Sequence, residues 1–298
     1  MTAADLTLDK QINRSPGLLS AQTRWRLRLF ARNQGALFGL MVLVGWILIA
    51  IFADQVAPYD PIETVADARQ APSGEHWFGT DRLGRDVLTR VIFGSRISLM
   101  LGIISVLIGS ISGTLLGLAA GFYGGWTDTI IMRLMDAFLA FPGLLLALII
   151  IATLGPSIQN VMLAVGFSTI PQYARLTRGS VLAVRELPYV ESARVIGGRA
   201  RRLIFQHILP NVSAPLIVLS TLQVGNAILV GSGLSFLGLG AQPPTAEWGL
   251  MTAVGREVLG KAWWISTFPG LAILSAVMAA NLLGDGLRAA LDPKMRIE

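Results

Sequence analysis

Apolar residues along this chain gather into six long runs, separated by shorter polar or basic stretches. A helix that crosses a bilayer needs roughly 20 mostly apolar residues, because about 1.5 Å per residue must cover about 30 Å of hydrocarbon. The runs that meet this requirement are 35–53, 97–120, 129–154, 158–178, 213–237 and 264–287. The pattern predicts an all-α polytopic membrane protein with six transmembrane helices. The fourth run is the most polar, with Gln159, Asn160, Pro171 and Gln172 inside it. It is expected to face protein or a water-filled path rather than lipid. Pro142 predicts a kink in the third.

Two runs carry small residues at every fourth position. The second has Gly109, Gly113, Gly117 and Gly121; the sixth has Ala272, Ala276, Ala280 and Gly284. Residues four apart share a helix face, and small side chains let backbones approach closely in lipid, so both stripes predict helix packing.

Composition agrees with a membrane setting. Only 14% of residues are charged, against about 25% in soluble domains. With no cysteine, disulfides and thiolate metal sites are excluded. The net charge of +6 arises from arginines flanking apolar runs. No stripe of base-stacking aromatics accompanies them, so they point to membrane orientation rather than to nucleic acid. The first apolar run is too long for a signal peptide and reads as an uncleaved anchor. Arg14, Arg24, Arg26, Arg28 and Arg32 in the leader 1–34, with Arg288, Lys294 and Arg296 in the tail 288–298, predict cytoplasmic termini. Segment 54–96 is then external, although it holds five arginines beside seven acids. Its part 76–95 is expected to form an external amphipathic segment.

Chemistry is sparse. His76 and His207 fall on opposite sides of the membrane. Arg133 with Asp136, and Asp285 with Arg288, lie toward the cytoplasmic ends of their runs and predict structural ion pairs; a proton relay is the alternative. Residues 255–262 follow the phosphate-loop spacing, but Ala262 replaces the Mg²⁺-binding hydroxyl. No catalytic residue, metal or cofactor is expected on this chain.

The basic insert 188–210 between the fourth and fifth runs stands out. Pro188 suits a first helical turn, and Glu191 lies near that helix's N-terminus. Gly197 and Gly198 break the helix. A second helix is expected over 199–209, with Leu203, Ile204 and Ile208 on an apolar face and Pro210 ending its hydrogen-bond ladder. Such a short, rigid elbow suits docking into a groove on a cytoplasmic partner. A basic loop drawn to anionic lipid is the plainer reading.

Glu191-Ser192-Ala193, Gly197 after three residues, and Leu209-Pro210 resemble the EAA loop of ABC importer permeases. Ser192 stands where that family has alanine, and His207 where isoleucine is common. Segments 76–99, 132–147, 234–249 and 268–293 further resemble the dipeptide/oligopeptide/nickel permease family, second-permease branch. The likeness covers nearly the whole chain after residue 30. It implies an extra N-terminal module over 35–75 and a type I ABC importer permease core over 96–287. It also implies a heterodimer with a homologous second permease, two ABC ATPase subunits that use ATP and Mg²⁺, and an extracytoplasmic substrate-binding protein. The location implied is the bacterial cytoplasmic (inner) membrane. In such a complex 188–210 couples to the ATPases, with Leu203, Ile204 and Ile208 as apolar docking surface and the arginines facing acidic partners. The outer loops 54–96 and 238–262 face the binding protein. The substrate stays open among dipeptides, longer peptides, glutathione, opines and chelated nickel. An ion-coupled secondary transporter is the alternative; it calls for midplane coupling residues and often a repeat, and neither is evident.

Overall fold

The computed structural model describes residues 29–291. It contains α1 (Gln34–Ile51), α2 (Ala53–Val56), α3 (Val87–Tyr123), α4 (Gly125–Leu139), α5 (Gly143–Leu154), α6 (Ile158–Arg185), α7 (Pro188–Val195), α8 (Ala200–Phe236), α9 (Trp248–Arg256) and α10 (Trp264–Leu291). Helices start where short polar side chains satisfy free N–H groups. Asn33 accepts from Ala36, Asp86 from Thr89 and Ser157 from Asn160, at 2.7–3.1 Å. Among the described residues there is no strand, only an isolated bridge between Thr80 and Asp86. The leader and tail cations Arg14, Arg24, Arg26, Arg28, Lys294 and Arg296 lie outside the described residues.

Four helices, α1, α3, α8 and α10, are long and apolar enough to cross a membrane. The pair α4 and α5 adds a fifth candidate if counted as one span. α6 has 28 residues but is not in that apolar set. Connectivity fixes the ends of the bundle. α8 is 37 residues long, about 55 Å, so α7 before it and α9 after it lie at opposite ends. α3, α4 and α5, α6 and α10 each run from one end to the other. Residues 29–34 and Leu291 lie at the α7 end: Ala36 touches Gly286 there, while Arg96 holds Ala50 and Asp54 at the α9 end.

Three expectations need correction. The third run is broken rather than kinked: α4 and α5 meet at 89°. Pro142, which lacks an N–H, takes the extended cap position of α5 with ψ 130°. Segment 76–95 is not one amphipathic element. Residues 76–86 are loop, and Val87 opens a helix whose first turns are buried, with Trp248 Nε1 donating to the Val91 carbonyl at 2.9 Å. Finally, Pro210 does not end a helix. Residues Leu203–Ile208 form a π turn, in which Leu209 N–H reaches back to the Ile204 carbonyl. The wider turn lets the chain pass the proline and run on to Phe236.

The glycine stripe of α3 lies against α6. A Cβ on Gly113 would stand 2.5 Å from Tyr173 Cβ and 2.6 Å from the Ile170 carbonyl. Gly109 meets Thr169, Gly117 meets Ala174 and Gly121 meets Val181. On α10, Ala280 and Gly284 face Gly225 and Leu222 of α8. Ala272 and Ala276 join a core cluster with Val87, Ile228 and Trp248. α1 packs on the other flank of α10, Gly39 against the Ala279 carbonyl, and exposes most of its remaining apolar surface.

Candidate functional site

The insert 188–210 forms a knob at one end of the bundle. Leu187 is extended (ψ 141°), as a residue before proline tends to be, and Pro188 occupies the first turn of α7. Ser192 Oγ donates to the Pro188 carbonyl at 2.8 Å, so its hydroxyl is satisfied within the helix. Glu191 sits exposed in the first turn. The helix closes with a double cap: Gly198 N–H bonds the Ala193 carbonyl and Gly197 N–H the Arg194 carbonyl, both at 3.0 Å. Gly197 has φ +83°, a left-handed conformation that favours glycine. A Cβ on Gly198 would fall 2.5 Å from the Ala193 carbonyl. The two glycines therefore set a fixed turn, after which Arg199 leads into α8.

What anchors the knob differs from expectation. Leu203, Ile204 and Ile208 are buried, so they are not a docking surface. The π turn aims Ile204 and Ile208 into a cluster with Val190 of α7, Tyr173, Val181 and Val212. Leu209 packs against the same cluster and Pro210 is exposed. The most exposed apolar residues are instead Val195 at 81% and Ile196 at 85%, at the tip, with Tyr189 and Phe205 about half exposed nearer the root. Their exposure was missed because the sequence shows them only as the last turn before the glycines. Arg194, Arg199, Arg201 and Arg202 surround the tip, and among the described residues none has an acidic partner. A groove of about 520 Å³ between the tip and α8 is lined by Ile196, Gly197, Arg199, Arg202 and His207. The tip of the knob thus offers Val195 and Ile196, the barest apolar side chains of the insert, among exposed arginines.

At the opposite end, loop 57–86 and segment 238–262 form one platform. Arg90 donates to the carbonyls of Pro61 (2.7 Å), Pro244 (3.3 Å) and Thr245 (3.2 Å), tying both loops to α3. Buried Asp81 bonds Arg85 at 2.7 Å and lies 3.6 Å from Arg90; buried His76 meets Asp86 at 3.0 Å. Arg82 pairs with Glu257, and Arg96 with Asp54 at 2.8 Å. The arginines that strained the charge rule are largely neutralised within the fold. Glu247, fully buried, accepts from Gly249 and Leu250 N–H and caps α9. Burial pushes its carboxyl above the ordinary range, and those N–H groups pull the other way.

The remaining candidates separate. Asp136 pairs with Arg175 at 2.6 Å rather than with Arg133, because α6 lies alongside α4; Asp128 pairs with Arg178. No ion pair joins Asp285 to Arg288 among the described residues. Gly255 lies in the last turn of α9, pressed against Ser266, and forms no phosphate loop. Among the described residues no group of His, Asp or Glu could hold a metal.

Residues 113–297 match the family described as binding-protein-dependent transport system inner membrane component. Residues 22–72 match the N-terminal TM domain of oligopeptide transport permease C. The chain is 46% identical to the dipeptide transport system permease protein DppC of Alkalihalophilus pseudofirmus, over 93% of this chain and 92% of that one. It is 49% identical to the di/tripeptide transport system permease protein DppC of Pseudomonas aeruginosa, over 90% of each. Identity to the glutathione transport system permease protein GsiD of Pectobacterium atrosepticum is 47%, over 93% of each. A solved structure of an amino acid ABC transporter with histidines covers 66% of this chain and 92% of its own, at TM-score 0.51 and 14% identity, a likeness of fold alone.

Proposed function

The chain belongs to the family of binding-protein-dependent transport system inner membrane components, and from that premise we propose that the knob 188–210 docks partner ATPases. The chain is the multi-pass inner-membrane permease subunit of an ABC importer. What supports the docking role is the knob's construction: an apolar tip, Val195 and Ile196, on a capped elbow whose root is set in the bundle core. Movement imposed on that tip passes directly to α6 and α8. ATP and Mg²⁺ act on the ATPases; this chain contributes the lever.

The solute is a short peptide, the class named for two of the relatives. A homologous second permease completes the pathway, two ATPases sit beneath, and the platform of loops 57–86 and 238–262 receives the binding protein. The chain crosses the membrane six times with both termini on the cytoplasmic side. Supporting this, α6 joins the α9 end to the α7 end although its polar face keeps it out of the most apolar set, and residues 29 and 291 share the knob's end. The secondary-transporter alternative gains no support, since among the described residues the mid-bundle polar groups include no buried carboxylate.

Native mass spectrometry of the complex co-expressed from neighbouring genes tests this. The expected mass contains this chain once, a related permease once and two ATPase subunits. A lone chain or a homo-oligomer, in the presence of folded ATPases, contradicts it.

A further inference from the structure

Two helices carry a glutamine at the same station. Gln172 is the midpoint of α6, and Gln223 is the midpoint of the Leu209–Phe236 stretch of α8. Each lies about 20 Å from the ends of that helix or stretch, at the depth where water is scarcest. Gln223 is buried and joins both neighbours: its Nε2 donates to Gln172 Oε1, and its Oε1 accepts from Asn226 Nδ2 at 3.0 Å. Gln172 and Asn226 are exposed. Among the described residues, the Gln172 amide nitrogen and the Asn226 amide oxygen have no hydrogen-bond partner.

The cluster therefore presents a free donor beside a free acceptor. One turn toward the knob, Arg175 bonds Asp136 at 2.6 Å with side chains 58% and 61% exposed. Exposed amides and an exposed ion pair at mid-bundle are costly against hydrocarbon, so this face meets water, solute or protein. The ion pair is already satisfied, whereas the amides keep a free donor and a free acceptor. A carboxamide is uncharged and both donates and accepts. It complements a peptide group, which offers one N–H and one C=O, whatever the side chains.

We propose that Gln172 and Asn226, positioned by Gln223, form a solute contact on the translocation path and take the backbone amide of a transported peptide. This rests on the importer reading. Contacts of this kind, few and neutral, hold a peptide without trapping it.

The chain has no cysteine, so Gln172→Cys and Asn226→Cys each give it a single thiol in the full complex with ATPases and binding protein. The probe is a charged, water-soluble methanethiosulfonate, and the transported peptide is trialanine. Both thiols should be modified, and trialanine should slow modification by roughly tenfold, as for a site it occupies. Met41→Cys, 67% exposed on apolar α1, should stay unmodified. Gln172→Leu should raise the KM for trialanine uptake by roughly tenfold while ATP hydrolysis persists, and Gln172→Asn, which keeps an amide on a shorter arm, should raise it less. Thiols that resist the probe in a transporting complex overturn the proposal, because the face is then covered by the second permease. Modification that trialanine leaves unchanged overturns it too. Failure of the unsubstituted complex to take up peptide with ATP strikes the importer reading itself, in a separate assay.

Discussion

The two ends of the bundle treat charge in opposite ways. At the α9 end, Asp81, Arg85, Arg90, His76 and Asp86 are buried and bonded to one another or to backbone. At the α7 end, four arginines stand exposed around bare Val195 and Ile196, and among the described residues none of the four has an acidic partner. In the platform these buried charged groups hold its own loops in place. The knob is packed only at its root, and its tip keeps apolar and positive groups exposed. If the knob docks as proposed, burial separates residues that keep the fold from residues that address another subunit.

Substitutions at the two ends sharpen that contrast. The largest effect on stability belongs to the platform. Asp81→Ala leaves Arg85 and Arg90 buried without their carboxylate, which should cost about 3–5 kcal/mol and show as a large fall in Tm of the detergent-purified complex. Gly197→Ala comes next. A side chain at φ +83° should cost about 1–2 kcal/mol locally, read as faster amide hydrogen exchange over 188–198 with little change at the platform.

A smaller effect follows pH. Glu247 is held above the ordinary carboxylate range by burial, so the folded chain binds its proton more tightly than the unfolded chain. Its contribution is full below the unfolded pKa of about 4.3 and is lost as pH rises through the raised folded value. The Tm of the unsubstituted complex relative to Glu247→Gln should therefore fall as pH rises above that range. Smallest is Arg201→Ala, expected within about 0.5 kcal/mol on stability. It should weaken ATPase binding at low salt and lose that effect at high salt.

Sequence reading located most helices but not their interruptions. Apolar length marks α1, α3, α8 and α10 because lipid demands it of a helix that faces lipid. The break at Pro142 and the π turn before Pro210 depend on what packs nearby, which a periodic pattern does not encode. The same limit governs the knob. The spacing from Glu191 to Gly197 and on to Pro210 identified the insert, and the glycines marked its elbow. Which apolar residues face inward was not legible: Ile204 and Ile208 follow helical spacing, yet the π turn aims them at Val190 and Tyr173. Val195 and Ile196 carry no such signature. In the platform, Arg90 reads as one more loop cation until its carbonyl partners 29 and 154 residues away are seen.

The docking role of the knob is tested most directly by Ile196→Asp. The side chain is 85% exposed, so a charge there should leave Tm and membrane insertion unchanged. The measurement is ATP-driven peptide uptake by vesicles containing the reconstituted complex, with ATPase co-purification recorded on the same preparation. Loss of both uptake and bound ATPase, with the chain intact, is the expected result. Uptake at the unsubstituted rate, with the ATPases still bound, would contradict the assignment of 188–210 as the coupling element.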